Sequence, residues 1–259
     1  MGLRISLRVV AMCVSLLSPL AAIAADAEKP AFDPTDRYDV RVIDGWTVRV
    51  SDRYANEPAL LENVLKEMTG QFKRIVEAVP APAVEKLRRV EIWVEVNNPQ
   101  FPCMCYHANE RWLRANGVNP EKTGHVELAN GRNFLSWTMQ QPWMVLHELA
   151  HGYHDRFIEH GYENKVISVA LAKSKDAGLY GEVDHIAGKK RDHYAATNPM
   201  EYFAESSESY FGKNDFFPYD RAELQAYDPD ALRLMEELWG VSKNVSRQEP
   251  RNARTIRTD

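Results

Sequence analysis

The chain has 259 residues, 37 acidic against 32 basic, and a formal charge of −5. Its lysines and arginines are scattered among carboxylates and form no basic block, which argues against nucleic acid as a partner. The length suits one domain, with a small appendage at most, able to bury a substantial core.

The N-terminus has the order of a secretory signal: Arg4 and Arg8, an apolar run from Val9 to Leu17, Pro19, then small residues from Ala21 to Ala25. Cleavage is expected after Ala24 or Ala25, so that residues 1–25 leave an exported chain in a periplasm or the medium. The apolar run is too short to span a bilayer and no other segment could, so no stable membrane insertion is expected. Loss of Arg4 and Arg8, with no carboxylate, moves the charge from −5 to −7. Residues 26–36 read as a flexible polar lead-in, 37–240 as the folded domain and 241–259 as a polar, mobile tail.

Tyr38 to Ile43 and Trp46 to Val50 alternate around Asp44-Gly45 and predict a β-hairpin. From Glu57 to Val79 apolar residues recur at helical spacing, and the run Pro80-Ala81-Pro82 ends that helix. Val90 to Val96 alternates as a half-buried strand. Asn97 to Asn119 reads as a long loop able to reach over a site, with aromatic residues that either wall the site or pack. It carries Cys103 and Cys105, which could bond locally, pair between chains, stay as thiols or hold a soft metal; the last lacks the second pair that structural zinc sites use. His125 to Ala129 is a short strand, either a plain sheet edge or one along which an extended peptide adds.

Pro142 starts a helix expected to run to about Glu159, with Gly161 closing it. A second helix is expected over Glu163 to Ala177, a polar loop over Gly181 to Asp192, a helix from Asn198-Pro199 to Phe211 and a packed loop over Asn214 to Asp220. The last helix is placed at Pro229 to Trp239.

Within the Pro142 helix, His147-Glu148-Leu149-Ala150-His151 reads H-E-x-x-H. Positions i and i+4 share a helix face, so His147 and His151 can offer two imidazoles to one zinc ion, with Glu148 beside it as base for a water. Burying this set in an apolar helix requires partners, which a metal supplies. A third protein ligand is then needed. The longer metzincin pattern fails, because positions 154 and 157 are His and Phe. His185 and His193 are candidate loop ligands. Glu201 and Glu205, four apart on one helix, offer one carboxylate to bind and one to support, unless they form a solvated acidic stripe that Glu208 continues.

His147 to His151, followed by Tyr194-Ala195-Ala196-Thr197-Asn198-Pro199-Met200-Glu201-Tyr202-Phe203-Ala204-Glu205, resembles the catalytic domain of the anthrax lethal factor family of zinc peptidases, which includes the Pro-Pro endopeptidases. The family carries a tyrosine seven residues before its ligating glutamate, as Tyr194 stands before Glu201, and the likeness covers roughly residues 130–212. It implies zinc on His147, His151 and Glu201, Glu148 as general base, Tyr194 as transition-state support and Glu205 behind the ligands. The expected architecture is α+β and zincin-like, a small mixed sheet against the H-E-x-x-H helix with a helical C-terminal half. The expected function is a zinc metalloendopeptidase with one catalytic Zn2+ and a peptide or protein substrate. Its rivals are an inactive zinc-binding domain for a protein or cell-surface partner, and a hydrolase of non-peptide amides.

Overall fold

The computed structural model describes residues 32–241; the expected signal and most of the tail lie outside them. Part of the expected lead-in is engaged, since Asp33 pairs with Arg53 at 2.7 Å and its carbonyl accepts from Asn119 Nδ2 at 3.2 Å. Strand β1 (Tyr38–Ile43) pairs antiparallel with β2 (Trp46–Ser51). Their turn places Asp44 and Gly45 at φ 48° and 91°, the left-handed pair that an Asp-Gly hairpin supplies. Helix α1 (Pro58–Ala78) buries Val64, Met68, Phe72 and Ile75, one stripe at spacings of four and three. After Pro80 the chain forms another helix, α2 (Ala81–Leu87), because a proline is tolerated in a first turn as readily as it ends a last one.

Strand β3 (Ile92–Val94) is followed by a segment that is more than a loop, since it contains β4 (Met104–Tyr106) and α3 (Glu110–Ala115). Then come β5 (Val126–Leu128) and the short helix α4 (Gly131–Trp137). The sheet order is β1-β2-β3-β5-β4: β2, β3 and β5 run parallel, while β1 and β4 are antiparallel to their neighbours. The expected edge strand is therefore interior, and β4 forms that edge. Val48, Val50, Ile92, Val94, Val126 and Leu128 join the main core with α1 and with α5 (Met144–Phe157). Trp46 stacks on Phe72 with centroids 4.4 Å apart.

The alternate residues Trp93, Glu95 and Glu127 are buried too, so Val90 to Val96 is not the half-solvated strand expected. Lys122 covers their face and places Nζ 2.8 Å from both Glu95 and Glu127. At Glu127 burial opposes charge, but the Lys122 ammonium and the His107 hydrogen bond outweigh it and hold the carboxyl at about 2.

The C-terminal half holds α6 (Lys165–Asp176), the hairpin β6 (Glu182–His185) and β7 (Lys189–Asp192), then α7 (Pro199–Phe211), α8 (Arg221–Tyr227) and α9 (Pro229–Leu238). The fold is thus α+β, a small mixed sheet with mostly helical remainder. Among the described residues no helix is long and apolar enough to cross a membrane.

Two histidines are buried against aromatic rings. His154 packs on Tyr162 and Phe203, and His193 stacks on Phe216. Burial lowers both to about 3. Above pH 6.5 they are neutral whether folded or not; below it only the unfolded chain takes up their protons, so stability falls between pH 6.5 and 3. Thermal melts should show a loss on the order of 1 kcal/mol per pH unit for each histidine. His154→Phe should flatten that slope, and an unchanged slope would refute the assignment.

Candidate metal centre

Helix α5 begins where Val145 N–H donates to Gln71 Oε1 of α1 at 3.0 Å, which satisfies one of the first-turn donors a helix leaves open. Val145, Leu146, Leu149, Ala150 and Tyr153 go to the core. At Gly152 the helix passes close to the sheet edge: a Cβ there would stand 3.0 Å from Val90 and 3.1 Å from Tyr106. His147 and His151 face α7, whose start is set by Pro199 and by Asn198 Oδ1 accepting from Glu201 N at 2.9 Å.

Three side chains converge between these helices. His147 Nε2 lies 3.2 Å from His151 Nε2 and 3.1 Å from Glu201 Oε2, and His151 Nε2 is 3.5 Å from Glu201 Oε1. Ligands at zinc–N and zinc–O distances in a tetrahedron stand about 3.3 Å apart, so these atoms are spaced as zinc would hold them. Their side chains are 13%, 6% and 1% exposed, and Glu201 Oε1 accepts no hydrogen bond. Burial pushes the Glu201 carboxyl up, but the His151 charge, with the hydrogen bond and charge of His147, outweighs it and holds the group at about 2. Burial likewise disfavours a charged His147, yet its bonds to Glu201 and Glu208 raise its pKa well above the usual value. This pocket is built for positive charge, and the donor set of two imidazoles and one carboxylate suits zinc.

The residue behind His147 is Glu208. Its Oε1 is 2.7 Å from His147 Nδ1, whereas Glu205 stops at 3.8 Å and turns its other oxygen to Asn214 Nδ2 at 2.7 Å. Glu208 rather than Glu205 thus makes the short contact to His147, and the stripe is buried rather than solvated. The hydrogen bond between Nδ1 and Glu208 holds the ring with Nε2 turned towards the Glu201 and His151 atoms. Burial raises the carboxyl pKa of both Glu205 and Glu208; the Glu208 charge adds to the rise at Glu205, and the Asp215 and Glu148 charges add to it at Glu208. Glu208→Gln should weaken zinc binding 10–100-fold without removing it, measured by competition with a chelator. An unchanged affinity would leave Glu208 a packing residue.

The other candidates are engaged elsewhere. His185 Nε2 pairs with Asp215 at 3.1 Å, and His193 Nδ1 accepts from Ala195 N at 3.1 Å, 3.9 Å from Glu205. A cavity of about 470 Å³ opens on the three converging groups and is lined also by Glu148, Tyr194, edge strand β4, Trp112, Trp137 and Tyr162. Glu148 is half-buried at its wall. Tyr194 stands in the short turn Tyr194–Ala196 ahead of α7. Asp155, one turn beyond His151, accepts from Tyr106 on β4 at 2.6 Å. Among the described residues the lining has no lysine or arginine, so the cavity offers a phosphate no side-chain cation of that kind.

No protein-family model matches the chain, and no curated protein matches it significantly. Among solved structures it is similar to a Pro-Pro endopeptidase from Paenibacillus alvei, at 20% identity and TM-score 0.33, over 64% of this chain and 86% of that one.

Proposed function

We propose that the chain is an exported zinc-dependent endopeptidase with a zincin-like catalytic domain. The observation that carries the reading is the spacing of 3.1 to 3.5 Å among His147, His151 and Glu201 at the floor of a cavity that also holds Glu148 and Tyr194. The motif resemblance supports the same ligand set. His147, His151 and Glu201 would hold zinc, which when bound supplies Lewis acidity towards a water and a carbonyl oxygen.

Glu148 is the base: it takes a proton from the attacking water and passes it to the leaving amine. Tyr194 donates a hydrogen bond to the oxygen on which charge develops. Glu208 keeps His147 oriented through Nδ1. Strand β4, with no strand on its outer side among the described residues and lining the cavity, offers backbone groups to an extended peptide laid along the edge, which favours a peptide over other amides.

The test is a proteome-derived peptide library incubated with the zinc-loaded protein. New termini that share a residue preference, and that vanish with Glu148→Gln, are the expected result. A zinc-loaded protein that cleaves nothing, yet binds a partner equally well as Glu148→Gln, would overturn the proposal in favour of an inactive binding domain.

A further inference from the structure

Cys103 and Cys105 are both buried and neither is in a disulfide among the described residues, but they differ in surroundings. Cys103, just before β4, faces α5 and meets Met144 Sδ at 3.5 Å. Cys105 lies on the sheet face turned away from α5, in a small second core with Phe101, Leu113, Val118 and Ala129. There it has neighbours that sheet geometry dictates. Residues two apart on a strand share a face, and directly opposed residues of an antiparallel pair bring their Cβ atoms within about 5 Å. Cys105 is opposite Glu127 in the register, and the pairing continues past β4 to His107, which bonds His125 at 3.0 Å and Gly124 at 2.7 Å.

We propose that Cys105, His107 and Glu127 form a second metal site, for a divalent cation of zinc's borderline softness. His107 Nε2 lies 3.7 Å from Cys105 Sγ and 2.6 Å from Glu127 Oε2, so one ring nitrogen faces both other donors. Around zinc a thiolate and an imidazole stand about 3.6 Å apart, and an imidazole and a carboxylate about 3.3 Å. Cys105 is therefore already in place, and the Glu127 hydrogen bond opens by about 0.7 Å on loading. The remaining Glu127 oxygen is held by Asn98 Nδ2 at 2.9 Å and Lys122 Nζ at 2.8 Å, which aims Oε2 at the site. The Phe101 ring packs edge-on against His107, with centroids 5.2 Å apart.

Charge points the same way. Cys105, His107 and Glu127 are 2%, 4% and 0% exposed, and one lysine, Lys122, faces both Glu95 and Glu127. The two carboxylates face the single positive charge of Lys122. A divalent cation that takes Cys105 as thiolate, its proton released to solvent, brings the cluster to neutrality. Thiolate and imidazole select zinc over magnesium or calcium. Cys105 and His107 also stand among the residues lining the cavity of about 470 Å³.

Cobalt(II) titration of the full chain tests this. Two ions should bind, one with thiolate-to-cobalt charge-transfer absorption. Cys105→Ser should lose that absorption and one ion, Cys103→Ser should keep both, and the His147→Ala/His151→Ala double variant should keep the absorption with one ion. Binding without any charge-transfer absorption, or absorption that Cys103→Ser abolishes and Cys105→Ser does not, would overturn the site. Should Cys105→Ser fail to fold by circular dichroism, the unmutated chain and Cys103→Ser decide alone. A chain that binds a single ion with the absorption would support this site while removing the first.

Discussion

Replacing Glu148 by glutamine is expected to lower kcat about 10²–10⁴-fold, with zinc affinity and KM nearly unchanged. The substitution keeps the size of the side chain and removes only its ability to accept and return a proton. Glu148 is half-buried at the cavity wall and belongs to neither the converging triad nor its supports, so folding and ligation should survive. A loss of this size with KM intact is the signature of an interaction made only in the transition state. Steady-state kinetics on a library-derived substrate, with zinc content measured on the same samples, checks it. If kcat holds while zinc is lost, Glu148 is a structural residue.

Glu201→Gln should weaken zinc binding by well over the roughly 100-fold that removal of a supporting contact can cost. The carboxylate is buried and anionic, and the amide retains its shape without its charge. His185→Ala and His193→Ala should leave zinc affinity unchanged, because one histidine is engaged with Asp215 and the other with the Ala195 N–H. Loss of zinc from either of those variants, with Glu201→Gln unaffected, would reverse the ligand assignment.

The site was legible where spacing along one helix carried it. The i, i+4 pairs His147/His151 and Glu201/Glu205 and the Asn198-Pro199 start of α7 follow from short-range spacing, whereas the choice of Glu201 over Glu205 came from the motif resemblance. Glu208 escaped because a third acidic residue on a helix face looks like a solvated stripe until another helix is known to cover it. Strand order carries no local signal either: β5 looked like an edge and is interior. Strand β4, three residues long, has too little alternation to stand out from a loop rich in Asn and Pro. The hairpin β6–β7 was missed for a related reason, since Lys189-Lys190-Arg191-Asp192 has no apolar face to alternate. Nothing local marks Glu127 as buried, and Lys122, five residues before it, carries no pattern to show that it turns back over the sheet.

Zinc-edge anomalous diffraction from crystals of the zinc-loaded protein tests the central claim most directly. The account predicts an anomalous peak about 2.0–2.2 Å from His147 Nε2, His151 Nε2 and a Glu201 oxygen, with a fourth position open to the cavity. A peak held by His185 or His193 instead, or no ordered zinc between α5 and α7, would contradict it.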